Sequence, residues 1–279
     1  MKTKTASWEK AALVLIVIGA VLFTVFPFYW ITNASFQDER MLYNINDIRW
    51  LPDLTYWNNY IDVFQKKAFL KYLVNSFFVA SLSMLIALMV SSIAAYALAR
   101  LKFPGSKVIL YFVLGISMFP AMVIISPLYF MIQKLDLMNT YMALIFPYIA
   151  FTLPFSLWNL TTFFRKLPKE LDESADVDGA TPFQTFYKIL LPLVAPGMFT
   201  TAILVFIFAW NEFLYAVTFI SKDALKTMPV AIVGLPSDYD VPWGQISAAS
   251  FISTFPLVIL VLIFQRRIIS GLTSGAVKG

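Results

Sequence analysis

LPKELDESADVDGATPFQTFYKILLP, residues 167–192, is a long polar segment inside an otherwise oily chain. It reads as two short helices joined by a tight turn. Pro168 suits a first helical position, where a missing N–H costs nothing, and Glu170, Asp172 and Glu173 place negative charge where the helix macrodipole favours it. Glycine enters a left-handed C′ conformation cheaply, so Gly179 is predicted to end the first helix and serve as the hinge. Thr181-Pro182-Phe183-Gln184 has capping-box spacing with proline at N1, which predicts a second helix from Pro182 to about Leu191-Pro192. Leu171, Ser174, Ala175 and Asp178 recur at i, i+3, i+4 and i+7, a narrow seam with two small residues at its centre. Such a seam lets another surface approach the backbone. The spacing alone leaves open whether the hairpin has a partner or is a plain amphipathic surface element.

The surrounding chain decides the class. Of 279 residues, 59% are hydrophobic and 13% charged, against roughly 45–50% and 25% in soluble domains. This is the balance of a polytopic membrane protein. Cysteine and histidine are both 0, so disulfides, thiol nucleophiles, Cys/His zinc clusters and histidine bases are excluded, and no metal site is expected. The net charge of +5 does not point to nucleic acid, because Lys and Arg sit mainly beside apolar spans, where topology and lipid headgroups explain them.

A hydrocarbon core about 30 Å thick needs roughly 20 apolar helical residues. Six stretches qualify: about 11–31, 72–99, 108–132, 141–164, 196–220 and 246–264. The first follows Lys2, Lys4 and Lys10 but is too long for a signal-peptide core, and is read as retained. Between Thr32 and Lys71 the chain turns polar, with Trp50, Tyr56, Trp57 and Tyr60, as segments at a membrane interface do. Pro120 and Pro127 break the third span, and Pro147 and Pro154 lie in the fourth, so these helices are expected to face protein rather than lipid, with simple helix bending as the alternative. A loop rich in Pro, Gly and Asp, Ser221 to Gln245, precedes the sixth span, and a tail follows it from 265 to 279.

Six spans put both termini on one side. Connections on that side carry Lys2, Lys4, Lys10, Arg100, Lys102, Lys107, Arg165, Lys166, Lys169, Lys188, Arg266, Arg267 and Lys278, which is 13 of the 21 basic residues. The positive-inside rule therefore predicts that both termini and the 167–192 hairpin are cytoplasmic. The expected architecture is all-α: one transmembrane domain, 1–279, in the cell membrane with six helices and a cytoplasmic hairpin.

Glu173-Ser174-Ala175, three residues, Gly179, nine residues, then Ile189, one residue and Leu191-Pro192 resembles the EAA loop of binding-protein-dependent ABC importer permeases, with Ser174 where the family has alanine. The tail, Phe264 to Gly279, resembles that of the smaller permease of maltose- and trehalose-type importers, as do Phe206-Ile-Phe-Ala-Trp-Asn-Glu-Phe213 and Arg100-Leu-Lys-Phe-Pro-Gly105. The resemblance implies that Glu173, Ser174, Ala175, Gly179, Ile189, Leu191 and Pro192 couple the chain to an ATPase. It implies that Gly275, Val277, Lys278 and Gly279 reach toward the ATPase dimer, a stretch whose composition alone indicates only a flexible tail. It also implies a second homologous permease subunit, two ATPase subunits and an extracytoplasmic sugar-binding protein. No G-x-x-x-x-G-K-[ST] phosphate cradle occurs in the chain. ATP and Mg are accordingly expected on the partner ATPases, with no cofactor in this chain.

For the solute path, Asn211 and Glu212 beside Trp210 offer aromatic, amide and carboxylate chemistry suited to a sugar, with Asn159 and Asn75 as further candidates. The competing reading is that Glu212 pairs with a neighbouring subunit or sits in headgroup water. The 221–245 loop, with Asp238, Tyr239, Asp240 and Trp243, is expected to face the solute-binding protein. The sequence thus points to a non-catalytic permease subunit importing a disaccharide or short oligosaccharide. The alternatives are a permease for a non-sugar solute, an ion-coupled secondary transporter, which has no use for a docking hairpin, and a membrane enzyme, for which Glu212 supplies half of an acid–base pair.

Overall fold

The computed structural model describes residues 7–44, 48–66, 68–101, 103–235 and 241–276. Among them all regular structure is helical. In chain order these are α1 (Ser7–Ser35), α2 (Glu39–Leu42), α3 (Asn58–Lys66), α4 (Phe69–Arg100), α5 (Ser106–Ile116), α6 (Ala121–Lys134), α7 (Met142–Lys166), α8 (Glu170–Val177), α9 (Pro182–Gln184), a π-helical turn Thr185–Leu190, α10 (Leu191–Asn211), α11 (Leu214–Phe219), a 3-10 turn Asp223–Leu225, α12 (Met228–Val233) and α13 (Trp243–Ala276). Among the described residues five stretches are long and apolar enough to cross a membrane, within α1, α4, α7, α9–α10 and α13, and α5 with α6, bent by 92°, brings the number to six when the pair is counted as one span. The expectations for Val277, Lys278 and Gly279 and for Asp238, Tyr239 and Asp240 lie outside the described residues.

The bend has a local cause. Pro120, extended at ψ 131°, occupies the N-cap of α6 and cannot donate back to α5. Pro127 lies within α6 without breaking it. An apolar cleft of about 470 Å³ lies at this bend, lined by Ile116, Leu128, Ile132, Pro147 and Pro154 among others. Pro147 and Pro154 are buried, so α7 turns its prolines to protein.

Residues 70–231 with 256–279 form one compact unit. One of its apolar clusters includes Val79, Ala80, Leu144, Tyr148, Phe206, Trp210, Tyr215 and Phe219. A second includes Tyr96, Leu160, Phe164, Phe186 and Leu190, under the hairpin. α7 and α10 approach closely because Gly197 carries no side chain: a methyl there would lie inside the Phe163 ring.

Residues 1–69 with 232–255 form the other unit. Its core is built from Phe36, Tyr60 and Ala248, with Trp57 packed edge-on against Phe36 at 5.0 Å. Asn59 donates to Ser35 O at 3.0 Å and Gln37 O at 2.8 Å, tying α3 to the end of α1. Glu39 accepts the backbone N–H of Trp243 at 2.6 Å and of Gly244 at 3.1 Å, so a carboxylate meets the positive start of α13.

Three expectations are corrected. The fifth span does not run unbroken from Pro196 to Ile220: α10 ends at Asn211, and Glu212 is extended at ψ 130° before α11 begins. The second hairpin helix does not stop at Leu191-Pro192. The π turn re-registers the ladder before it, leaving Pro192 in the first turn of α10, where its missing N–H is tolerated. The tail does not leave the helix at Phe264, since α13 continues to Ala276 and carries Gly275 with it.

Candidate functional site

The hairpin forms as its residues dictate. Three carboxylates occupy the first turn of α8. Gly179 takes φ +74°, a conformation side-chain-bearing residues rarely adopt, and the Ala180 N–H returns to Ala175 O at 2.9 Å, closing the helix with a left-handed cap. Thr181 then caps α9: its hydroxyl accepts the Gln184 N–H at 3.3 Å while the Gln184 side chain accepts the Thr181 N–H at 2.8 Å, the full reciprocal box.

One face of this hairpin is attached to the body of its own unit. Ala175 is buried at 1% exposure, and Leu171, Ile189 and Leu191 pack against the cluster of Tyr96, Phe164 and Phe186. The three rings sit 5.3–6.1 Å apart between centroids. The seam of Leu171, Ser174, Ala175 and Asp178 is therefore not a single face for a partner. Leu171 and Ala175 turn inward, where the small side chain lets α8 approach its neighbour, while Ser174 and Asp178 face outward. The Ser174 hydroxyl donates to Glu170 O at 2.7 Å, within its own helix. Glu173, Gly179 and Pro192 are exposed.

Two residues that the sequence reading passed over complete the outer face. Val177 is 88% exposed and Phe183 64% exposed, flanking the Gly179 turn. Either one alone is an ordinary exposed apolar residue; the signal is their placement on both sides of one tight turn. Beside the hairpin a charged cleft of about 720 Å³ is lined by residues including Arg100, Lys107, Lys169, Asp172, Glu173 and Asp176.

The solute-path candidates are largely spent on their own chain. Trp210 is 1% exposed and stacks on Phe206 at 5.6 Å, so it offers no face to a solute. Asn75, 2% exposed, donates to Ala224 O at 3.1 Å and Lys226 O at 2.9 Å and accepts from the Tyr141 hydroxyl at 2.8 Å. Asn159 donates to the Thr201 hydroxyl at 2.8 Å, bridging α7 and α10. Glu212 accepts the N–H of Tyr215 at 2.8 Å and of Ala216 at 3.2 Å, capping α11, and the Tyr148 hydroxyl at 2.6 Å. All four brace the chain: Asn75, Asn159 and Glu212 hydrogen-bond within the protein, and packing covers the Trp210 ring. Asn211 alone is exposed, with its amide donating to Ile207 O at 2.8 Å. Among the described residues no group of three or more Asp or Glu side chains could hold a metal.

An all-helical chain with up to six membrane-crossing stretches and a polar two-helix hairpin before the fifth is the architecture of a transport permease. The family described as "Binding-protein-dependent transport system inner membrane component" matches residues 87–274. This chain belongs to that family. It is 45% identical to the trehalose/maltose transport system permease protein MalG of Thermococcus litoralis, over 95% of this chain and 97% of that one. Identity is 40% to the trehalose transport system permease protein SugB of Mycobacterium tuberculosis, over 96% and 97%. In fold it is similar to a chain of a bacterial ABC transporter that imports the acidic polysaccharide alginate, with TM-score 0.79 at 20% identity, covering 95% of this chain and 99% of that one.

Proposed function

We propose that this chain is one permease subunit of an ATP-binding-cassette importer that moves a disaccharide or short oligosaccharide of the trehalose/maltose type into the cytoplasm. It pairs with a second homologous permease, two ATPase subunits and an extracytoplasmic sugar-binding protein. It catalyses no reaction itself, and ATP and Mg are held by the ATPases. Both termini and the hairpin face the cytoplasm, as the distribution of basic residues favours.

The observation that carries the reading is the division of the hairpin into a packed face and an outer face. The packed face, with Ala175 and Phe186 buried, seats the hairpin against the cluster at the ends of α7 and α10. The outer face presents Glu173 and Gly179 with the apolar Val177 and Phe183, the mixture of apolar anchor and charged rim that protein interfaces use. ATPase closure would push this face, and α7 and α10 would tilt with it. The sugar class rests on the relatives, two of which are named for trehalose or maltose.

The chain has no cysteine, so Val177→Cys carries a unique thiol. Cross-linking in intact membranes is expected to trap an ATP-hydrolysing subunit. Proteoliposomes holding the complete importer are expected to accumulate trehalose or maltose on ATP, with no loss when a proton gradient is collapsed. Labelling of the thiol by a membrane-impermeant reagent from outside the cell, or uptake that dies with the gradient, would overturn the proposal.

A further inference from the structure

We infer that Arg100 is a positioning residue that clasps the hairpin to α7 across the Leu167–Pro168 joint and carries the hairpin's motion into the second span. The inference deepens the coupling role proposed above and rests on it. Helical hydrogen bonding does not continue from α7 into α8: Leu167 is extended at ψ 144°, and Pro168 has no N–H to give. A joint of this kind would pivot under load and absorb the push it should transmit.

Arg100 straddles that joint. It is the last residue of α4, and its side chain is only 6% exposed. One terminal nitrogen donates to Leu167 O at 2.6 Å. The other donates to the Asp172 carboxylate at 2.9 Å and reaches Pro168 O at 3.5 Å. The two carbonyls lie where a helix end leaves acceptors without partners, and Asp172 lies in the first turn of α8. A single planar fork thus grips both sides of the joint and fixes their relative angle.

Chemistry specifies arginine. Two rigid, diverging donors are needed to hold a carbonyl and a carboxylate together, and a lysine ammonium supplies only a point charge on a flexible stem. The clasp also adds a route. The hairpin joins α7 and α10 through the backbone, whereas α4 is tied to it by this side chain and by Tyr96, whose ring packs on Phe164 and Phe186. Apolar packing of that kind has no direction and permits sliding; the fork does not.

The test uses the complete importer in proteoliposomes, with trehalose and maltose as probes, and reads the sugar moved per ATP hydrolysed. In Arg100→Gln the ATPase subunits are expected to stay bound and hydrolysis to stay stimulated, while the ratio falls roughly tenfold. Arg100→Lys should recover part of it, and Asp172→Asn should lose less than Arg100→Gln because both carbonyl contacts survive. An unchanged ratio in Arg100→Gln overturns the inference. So does release of the ATPases, because Arg100 would then serve docking rather than transmission. If Arg100→Gln fails to insert, a wild-type ratio in both Arg100→Lys and Asp172→Asn overturns it. Failure of the underlying coupling proposal looks different: the unaltered chain would then retain no ATPase at all.

Discussion

The hairpin end and the opposite end of the 70–231 unit are fastened in opposite ways. At the hairpin end the attachment is mainly apolar, with Tyr96, Phe164, Phe186, Leu160 and Leu190 meeting in one cluster and a single guanidinium supplying the directional contact. At the opposite end the connections are held by side-chain hydrogen bonds, most of them to backbone. Asn139 accepts from the Ser221 N–H at 2.7 Å and the Lys222 N–H at 2.8 Å. The Ser76 hydroxyl accepts the Met228 N–H at 2.8 Å, and the Tyr72 hydroxyl donates to Asp223 at 2.6 Å. Packing tolerates small displacement as long as contact area is kept, whereas hydrogen bonds weaken steeply with misalignment. One end is thus suited to being moved as a block and the other to keeping a fixed shape.

The largest effect should come from changing the hairpin's turn. Gly179→Pro needs φ near −65° where the backbone has +74°, and it deletes the N–H that donates to Asp176 O at 3.1 Å. The outer face on either side of the turn would be rebuilt. The expected result is loss of ATP-driven sugar uptake, with the chain still inserted, measured in proteoliposomes against co-purified ATPase. Normal uptake would show that the turn carries no load.

Next in size is the packing beneath the turn. Phe186 is 6% exposed and touches both Tyr96 and Phe164. Phe186→Ala should cost about 3 kcal/mol, the usual range for deleting a buried ring, read as a lowered midpoint of thermal unfolding in detergent. Phe183→Ala, on the exposed side of the same segment, should leave the midpoint unchanged and weaken ATPase retention instead. If the two variants behave alike, the division of the hairpin into two faces is wrong.

How far this division was legible in the sequence depends on which force made each part. Turn chemistry is local, so Gly179, Thr181 and Pro182 could be read directly, and both caps formed where expected. Apolar length is likewise local, and the long apolar helices overlap the stretches it marked. What side chains bond to across the fold is not local. Glu212 looked like a carboxylate stranded at membrane depth because its partners, Tyr148 and the N–H groups of a helix that begins after it, become neighbours only once the chain breaks at Phe213. Arg100 read as one more basic residue setting topology, since its partners lie 67 and 72 positions away. The inward turn of Ala175 was hidden by a seam whose spacing fits a partner and the chain's own body equally well.

A middle-sized effect tests the rigid end. Asn75→Ala removes three bonds at once, leaving Ala224 O, Lys226 O and the Tyr141 hydroxyl without this partner. The cost should be about 2 kcal/mol, within the penalty range for a buried polar group left unpaired. It should be concentrated in the 222–227 connection, where limited proteolysis would quicken while the hairpin end keeps its resistance. Even quickening at both ends would mean that the two fastenings act as one.

The smallest effect separates bracing from solute contact at Glu212. Its two oxygens receive three donors, Tyr215 N–H on one and Ala216 N–H with the Tyr148 hydroxyl on the other. Glu212→Gln keeps one oxygen. Turning that oxygen to Ala216 and Tyr148 saves two bonds and points an NH2 group at the Tyr215 N–H, donor against donor. The loss should be about 1 kcal/mol, the low end of the penalty for a donor left unpaired, visible as a small drop in thermal midpoint. A brace of this kind leaves the sugar concentration for half-maximal uptake unchanged, because the carboxylate already faces its own helix. A group lining the path would do the reverse, raising that concentration while the midpoint stays put, and such a result would return Glu212 to the route taken by the solute.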